Sequence, residues 1–123
     1  MTEKKSSKFS FQYLPREVQI SIQAAQDKKS EDLTVLDLRR LTSFTDYFII
    51  THGRSSRQNA AITDHIEAEL KKENIRPLHI EGRERGEWIL MDYGFFIVHI
   101  FSSQARDYYS LEKLWRDAAR MNC

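Results

Sequence analysis

Apolar residues recur at helical spacing in three stretches of the chain. After Pro15, whose ring suits a first helical turn, Val18, Ile22 and Ala25 share one face until a polar run begins at Asp27. In the second stretch Ser55 and Gln58 have the spacing of a capping box, which predicts a helix from about Ser56. Ile62, Ile66 and Leu70 form its predicted buried stripe, and Asn74 is its predicted C-terminal cap.

The third helical stretch lies near the C-terminus. Ser103 is placed to cap it, and Leu111, Leu114, Trp115 and Ala118 fall on one face. We therefore predict one helix that runs from residue 103 to residue 118.

Five shorter runs have the length and the residue types of strands. They cover residues 33–38, 47–51, 77–80, 88–93 and 95–102, and Gly94 supplies a tight turn between the last two. The element order is then αββαβββα. Helices interleaved with strands in this way predict an α/β fold: a single domain with a mixed five-stranded sheet and helices packed on it. We assign residues 1–14 to a flexible lead-in and residues 15–120 to the domain.

Composition agrees with one ordinary domain. The chain has 123 residues, of which 41% are hydrophobic and 30% charged, enough to bury a core without disulfides. Nineteen basic and eighteen acidic residues give a net charge of +1, which disfavours a general polyanion binder. The single cysteine, Cys123, and the absence of an apolar run of membrane-spanning length or a signal peptide predict a cytoplasmic protein.

Candidate catalytic chemistry is weak. The segment from Gly53 to Arg57 opens a helix and carries Arg54, so backbone N–H groups there suit a phosphate, but helix capping alone explains it. Metal-ligand spacing is missing around the four histidines, His52, His65, His79 and His99. Strand-end aspartates at positions 37, 46 and 92 lack a D-x-D pair. We predict no catalytic residue, metal or cofactor; a divergent nucleotidyl or phosphoryl transferase that uses Gly53–Arg57 and Asp37, Asp46 or Asp92 stays as the alternative.

The run at 88–93 does not fit a simple half-buried strand. Alternation places Trp88, Leu90 and Asp92 on one face and Met91 and Tyr93 on the other, so both faces carry large apolar groups. If helices cover only one face, the other is a protein-binding patch of the kind in which Trp, Tyr and Met are enriched. If helices cover both faces, these residues belong to the core. Periodicity alone does not decide between these two interpretations.

Several blocks of sequence, in order and with fitting gaps over residues 15–118, carry a family resemblance. They are Asp37-Leu38, Leu41-Thr42-Ser43-Phe44-Thr45-Asp46-Tyr47-Phe48-Ile49-Ile50, Gly53, Ser55-Ser56-Arg57-Gln58, Glu81-Gly82, Glu87-Trp88-Ile89-Leu90, Asp92-Tyr93-Gly94, Val98-His99-Ile100-Phe101, Arg106, Tyr109 and Leu111-Glu112-Lys113-Leu114-Trp115. Together they resemble the ribosomal silencing factor family, also called the Iojap-like proteins. His52, in place of a usual small Thr, and Phe95, in place of an acidic residue, depart from the family pattern.

The resemblance implies a nucleotidyltransferase-like fold without catalysis. It implies a translation repressor that binds large-subunit ribosomal protein fourteen at the subunit-joining face and sterically blocks joining of the small subunit when nutrients are short. Homodimers are also implied, whereas membrane association and direct nucleic-acid specificity are not. A direct RNA-binding module is a further alternative, which steep salt dependence would reveal.

Partner contacts follow from the resemblance residue by residue. Trp88 and Tyr93 match the family's partner-contacting strand positions, with Leu90, Met91 and Asp92 between them. Trp88 is the predicted anchor, because aromatic side chains dominate interface energetics. In the neighbouring loop, Arg83 and Arg85 are predicted rim residues that tune the association rate more than the affinity.

Overall fold

A single mixed sheet organises the part of the chain that the computed structural model describes, residues 9–123. It has six strands, in the spatial order β3-β4-β5-β2-β1-β6. The strands are β1 (Glu31–Asp37), β2 (Tyr47–Gly53), β3 (His79–Glu81), β4 (Trp88–Asp92), β5 (Phe96–Ser102) and β6 (Ala119–Asn122). The central pair β2 and β5 is parallel, and every other neighbouring pair is antiparallel. The predicted α/β class is confirmed, with one more strand than predicted.

Two long helices precede and follow the first pair of strands. Helix α1 (Arg16–Asp27) begins directly after Pro15, and helix α2 (Ser56–Lys71) begins at Ser55, whose hydroxyl accepts the backbone N–H of Gln58. Helix α2 ends at Lys71, with Lys72 as its C-cap residue, two positions before the predicted cap. Asn74 follows in the terminating turn with a left-handed φ of 63°. In residues 9–123 no helix combines the length and the apolar character that crossing a bilayer requires.

The two faces of the sheet are covered unequally. Helices α1 and α2 pack on one face, where inward residues of the central strands, such as Val35, Ile49 and Val98, form the main core. The opposite face carries a smaller core around Phe48, Ile50 and Phe101. Two short helices cover this second face in part: α3 (Ser103–Tyr109) and α4 (Leu111–Leu114).

The predicted helix over residues 103–118 is wrong in its extent. Ser110 adopts a left-handed conformation, with a φ of 49°, and divides the segment into α3 and α4. Ser102 rather than Ser103 caps the first of them, and Leu114 stays exposed. The chain then turns at Trp115 and adds the edge strand β6 beside β1.

The structure also bears on the predicted domain limits. Phe9 and Phe11 pack against the main core and Leu14 is buried, so these residues belong to the folded domain and not to the predicted lead-in. The remaining lead-in residues, 1–8, lie outside the described part of the chain. At the other end, β6 continues to Asn122, two positions beyond the predicted limit of 120.

Candidate partner-binding face

The open face, as we call it, is the uncovered part of the sheet over β4 and the adjoining side of β5. Trp88 and Leu90 project from β4, and their cross-strand neighbours on β5 are Phe101 and His99. Trp88, Leu90 and Ile97 are all partly exposed, although each is a large apolar side chain. Contiguous exposed apolar surface on a small domain is typical of an interaction site.

Trp88 is held on the open face by aromatic neighbours. Its ring centroid lies 5.0 Å from that of Phe101 and 4.5 Å from that of Tyr109, a residue of α3. Its indole N–H donates to Nδ1 of His99 over 3.1 Å. The ring therefore has a defined orientation while it stays partly exposed to solvent. This combination suits an interface anchor, since ordering costs little on binding.

Two of the predicted contact residues lie on the other side of the strand. Met91 is fully buried, and Tyr93 is 8% exposed and stacks on Phe96 with ring centroids 4.9 Å apart. Both belong to the main core beneath α1 and α2, and burial raises the pKa of the Tyr93 phenol. Strand alternation thus separates them from Trp88, so they support β4 from behind and present almost no surface to a partner.

The remaining predicted contacts are divided between the two faces. Asp92 shares the face of Trp88, where its carboxylate accepts the backbone N–H of Gly94 over 2.8 Å. Arg83 forms ion pairs with Asp64 and Glu67 of α2, which draw its guanidinium toward the helix-covered face. Arg85 is exposed in the same loop. The open face therefore retains Trp88, Leu90 and Asp92 from the predicted set.

Aromatic residues from outside β4 extend the open face. Phe44 is 57% exposed, with its ring 6.2 Å from Phe48 and 6.1 Å from Trp115. Tyr109 is 49% exposed beside Trp88. Sequence reasoning assigned neither residue to the site, because each lies on a different element from β4. The sequence signal that could have identified them is that both residues occur in the blocks that match the family.

The Gly53–Arg57 segment is occupied by contacts within the protein. The backbone N–H of Arg54 donates to Oε1 of Gln58 over 2.6 Å, and the guanidinium of Arg54 pairs with Glu31 at 2.6 Å. The hydrogen bond from Arg54 also holds the pKa of the Glu31 carboxyl below its usual range. A side chain at Gly53 would meet the amide oxygen of Asn59 at 2.3 Å. Capping and close packing account for this segment.

The strand-end aspartates lie far from that segment. Asp37, Asp46 and Asp92 gather at the end of the sheet where β2 begins, whereas Gly53 lies where β2 ends. At a rise of about 3.3 Å per residue, the two ends are about 20 Å apart. Asp37 is also bound by Arg39: burial would raise its pKa, but the hydrogen bonds from Arg39 outweigh that effect and lower it. Within residues 9–123, no three acidic, histidine or cysteine side chains cluster as a metal site would.

A buried charged cluster lies near the carboxyl ends of β2 and β5. Arg106 is 9% exposed and donates to Glu112 at 2.6 Å, to Nδ1 of His52 at 3.0 Å and to Thr34 at 3.3 Å. Its guanidinium donors are directed at protein groups, so the cluster ties α3 and α4 to the sheet. His52, one of the two departures from the family pattern, thereby has a structural role.

A small α/β protein with an open aromatic face, and with its anion-binding elements already occupied, has the features of a binding module. The family model described as "Ribosomal silencing factor during starvation" matches residues 12–123. The chain belongs to the ribosomal silencing factor family, a regulatory and non-enzymatic family, and the resemblance seen in the sequence is confirmed.

Individual relatives agree with this assignment. A ribosomal silencing factor from Bacillus subtilis is 39% identical over 101 residues, which cover 82% of this chain and 86% of that protein. A crystal structure of a Chromobacterium violaceum protein matches with a TM-score of 0.79 at 36% identity, covering 81% of this chain and 83% of that one. A mouse protein named "Mitochondrial assembly of ribosomal large subunit protein 1" is 26% identical over 102 residues, covering 80% of this chain and 45% of that protein.

Proposed function

We propose that this chain is a cytoplasmic translation repressor that binds the large ribosomal subunit and sterically blocks joining of the small subunit. Membership of the ribosomal silencing factor family supports action on the ribosome, and the family description points to starvation as the occasion. The name of the mouse relative supports the large subunit as the binding partner. Repression by occupancy needs a stable protein contact and no turnover, which fits a domain whose distinctive surface is an apolar face.

The observation that carries the proposal is the partly exposed Trp88 on the open face. An indole fixed by neighbouring rings, with Leu90 and Ile97 beside it, has the composition of an interface core. We assign this face to large-subunit ribosomal protein fourteen. Asp92 borders the contact, and Phe44 and Tyr109 extend it. Arg85 has a weaker role at the rim, where charge tunes the association rate.

Sedimentation with purified large subunits tests the proposal. Wild-type protein should travel with the large subunit and prevent added small subunits from joining. Trp88→Ala should weaken binding by about 30-fold or more, since truncating an aromatic anchor commonly costs at least 2 kcal/mol. Tyr13→Ala is the matched control, because it removes an aromatic ring that is 59% exposed just before α1, the helix that packs on the other side of the sheet.

Each component of the proposal has its own contrary result. Wild-type protein that leaves the large subunit unbound contradicts the function. If a folded Trp88→Ala protein binds like wild type, the proposed function survives, but the open face is not the binding surface. A second copy of this chain could occupy the open face instead. In that case sedimentation velocity shows a dimer for the wild-type protein and a monomer for Leu90→Lys.

A further inference from the structure

His99 is a buried polar residue at the centre of the open face. It is 3% exposed, and its ring lies 4.4 Å from Phe48 in an edge-to-face arrangement. Its cross-strand neighbour on β4 is Leu90, and its cross-strand neighbour on β2 is Ile50. Phe48, Leu90 and Ile50 are all apolar, and the indole N–H of Trp88 supplies a polar contact. A histidine at such a position needs a reason, because an aliphatic side chain would fill the space without burying polar atoms.

The hydrogen bond with Trp88 defines the state of the imidazole. Nδ1 accepts the indole N–H, so the ring proton of a neutral imidazole lies on Nε2. Burial lowers the pKa of His99 to about 3, which keeps the ring neutral and Nδ1 available as an acceptor at physiological pH. Within residues 9–123 the Nε2 atom has no hydrogen-bond partner. The fold thus tolerates one unpaired buried donor while keeping the acceptor for Trp88.

The indole N–H is the one polar group of the Trp88 side chain, and it donates to His99. Ring contacts with Phe101 and Tyr109 confine the indole. The bond to His99 adds a directional restraint, since the N–H is at one edge of the ring. Orientation of the indole therefore depends on an acceptor at Nδ1.

We propose that His99 is a positioning residue for partner binding: it accepts the indole N–H of Trp88 and so presents the ring to the partner in one orientation. This inference rests on the proposed function, in which Trp88 is the anchor. It assigns His99 an effect on affinity without any contact to the partner. Preorganisation of this kind raises affinity by reducing the ordering that binding requires.

Two substitutions of similar shape, Asn and Leu, separate the effect of the hydrogen-bond acceptor at His99 from the effect of the side-chain volume. Asn carries an oxygen close to the position of Nδ1, whereas Leu has the same branched shape and cannot accept. The two variants, His99→Asn and His99→Leu, are made in a Trp115→Phe background so that Trp88 is the remaining tryptophan. The measurements are the indole N–H resonance of Trp88 by NMR, and the affinity for purified large subunits.

His99→Asn should keep the downfield indole resonance of a hydrogen-bonded N–H and bind within about threefold of the background protein. His99→Leu should lose that resonance position and bind about tenfold or more weakly, while circular dichroism still reports the native fold. Equal affinities for the folded pair overturn the inference and leave the proposed function intact. Absence of large-subunit binding by the wild-type protein overturns both.

Trp88→Phe gives a second route if the His99 variants do not fold. Phe keeps an aromatic ring beside Tyr109 but lacks the N–H, and the position is partly exposed. Its affinity should fall by about tenfold or more. If a folded Trp88→Phe protein binds the large subunit as tightly as wild type, the hydrogen bond has no part in binding and the inference fails.

Discussion

At the scale of single residues, Asn59 shows how one buried amide joins distant parts of the chain. Its amide nitrogen lies in α2 and donates to the carbonyl of Gly86 over 2.7 Å and to that of Phe101 over 3.1 Å. Gly86 belongs to the loop before β4, and Phe101 lies on β5. The amide thereby fixes the end of β4 that carries Trp88 relative to the sheet.

Asn59→Leu should destabilise the protein strongly. The substitution leaves two buried carbonyl groups without their donor and places a methyl group where Asn59 now approaches Gly53, so we expect a loss of about 2–4 kcal/mol. Urea unfolding measures it. Thr63→Val is the control: its hydroxyl donates to the carbonyl of Asn59 within α2, and a loss under about 1 kcal/mol is expected. Equal losses in the two variants would contradict the role given to Asn59.

His99 makes stability depend on pH. The folded imidazole has a pKa of about 3 because it is buried, while the unfolded one titrates near its ordinary value of about 6.5. Between these values the unfolded chain binds a proton that the folded chain does not, so the free energy of unfolding falls as the pH is lowered. The steepest slope is about 1.4 kcal/mol per pH unit.

His99→Asn should flatten that slope between pH 6.5 and pH 5, where carboxylates with lowered pKa values, such as Glu73, still contribute little. Urea unfolding of both proteins across this range gives the difference. The other histidines are common to both and cancel. If the two proteins show the same slope, His99 binds its proton as readily in the folded chain as in the unfolded chain, which contradicts the lowered pKa.

At the scale of whole elements, α2 depends on a local cap. Ser55→Ala removes the hydroxyl that accepts the N–H of Gln58 and should cost about 1 kcal/mol. Ser56→Ala, one residue later and exposed, keeps the Cβ that lies beside Gly86 and should be nearly neutral. Thermal unfolding compares the two. A larger loss at Ser56 would place the helix boundary elsewhere.

Local signals explain which elements were predictable. Helix α2 has its N-terminal cap and its buried stripe within one continuous segment, and both predictions are confirmed; the helix ends at Lys71, and Asn74 lies in the turn beyond its C-cap. The C-terminal segment failed because helical spacing of apolar residues continues past Ser110, whose left-handed backbone stops the helix. Strand β6 was missed because it is a short polar edge strand, and its pairing with β1 joins residues about 85 positions apart in sequence.

The candidate site was predictable only in part for the same reason. Alternation correctly separated Trp88 from Met91 and Tyr93, but it cannot tell which face the helices cover. Family matching then grouped all of them as partner contacts. Burial under α1 and α2 is a tertiary property, and so is the approach of Phe44 and Tyr109 to the open face.

At the scale of the whole molecule, the unequal cover of the sheet is the feature that links fold to function. The long helices α1 and α2 seal one face, and the short α3 and α4 leave part of the other open. The chain is also nearly neutral, with a net charge of +1. Binding through such a surface differs physically from binding to ribosomal RNA, because apolar burial releases few counterions.

Salt dependence distinguishes these modes of binding. Between 50 and 200 mM salt at constant Mg²⁺, affinity for the large subunit should fall by less than about tenfold, because few charges meet at the open face. A protein with 6–10 phosphate contacts would lose about 10³- to 10⁵-fold over the same range. Arg57→Ala, which removes an exposed charge beside the start of α2, should leave the slope unchanged. A steep slope that Arg57→Ala reduces would instead identify RNA as the contact and move the binding surface from Trp88 to the basic end of α2.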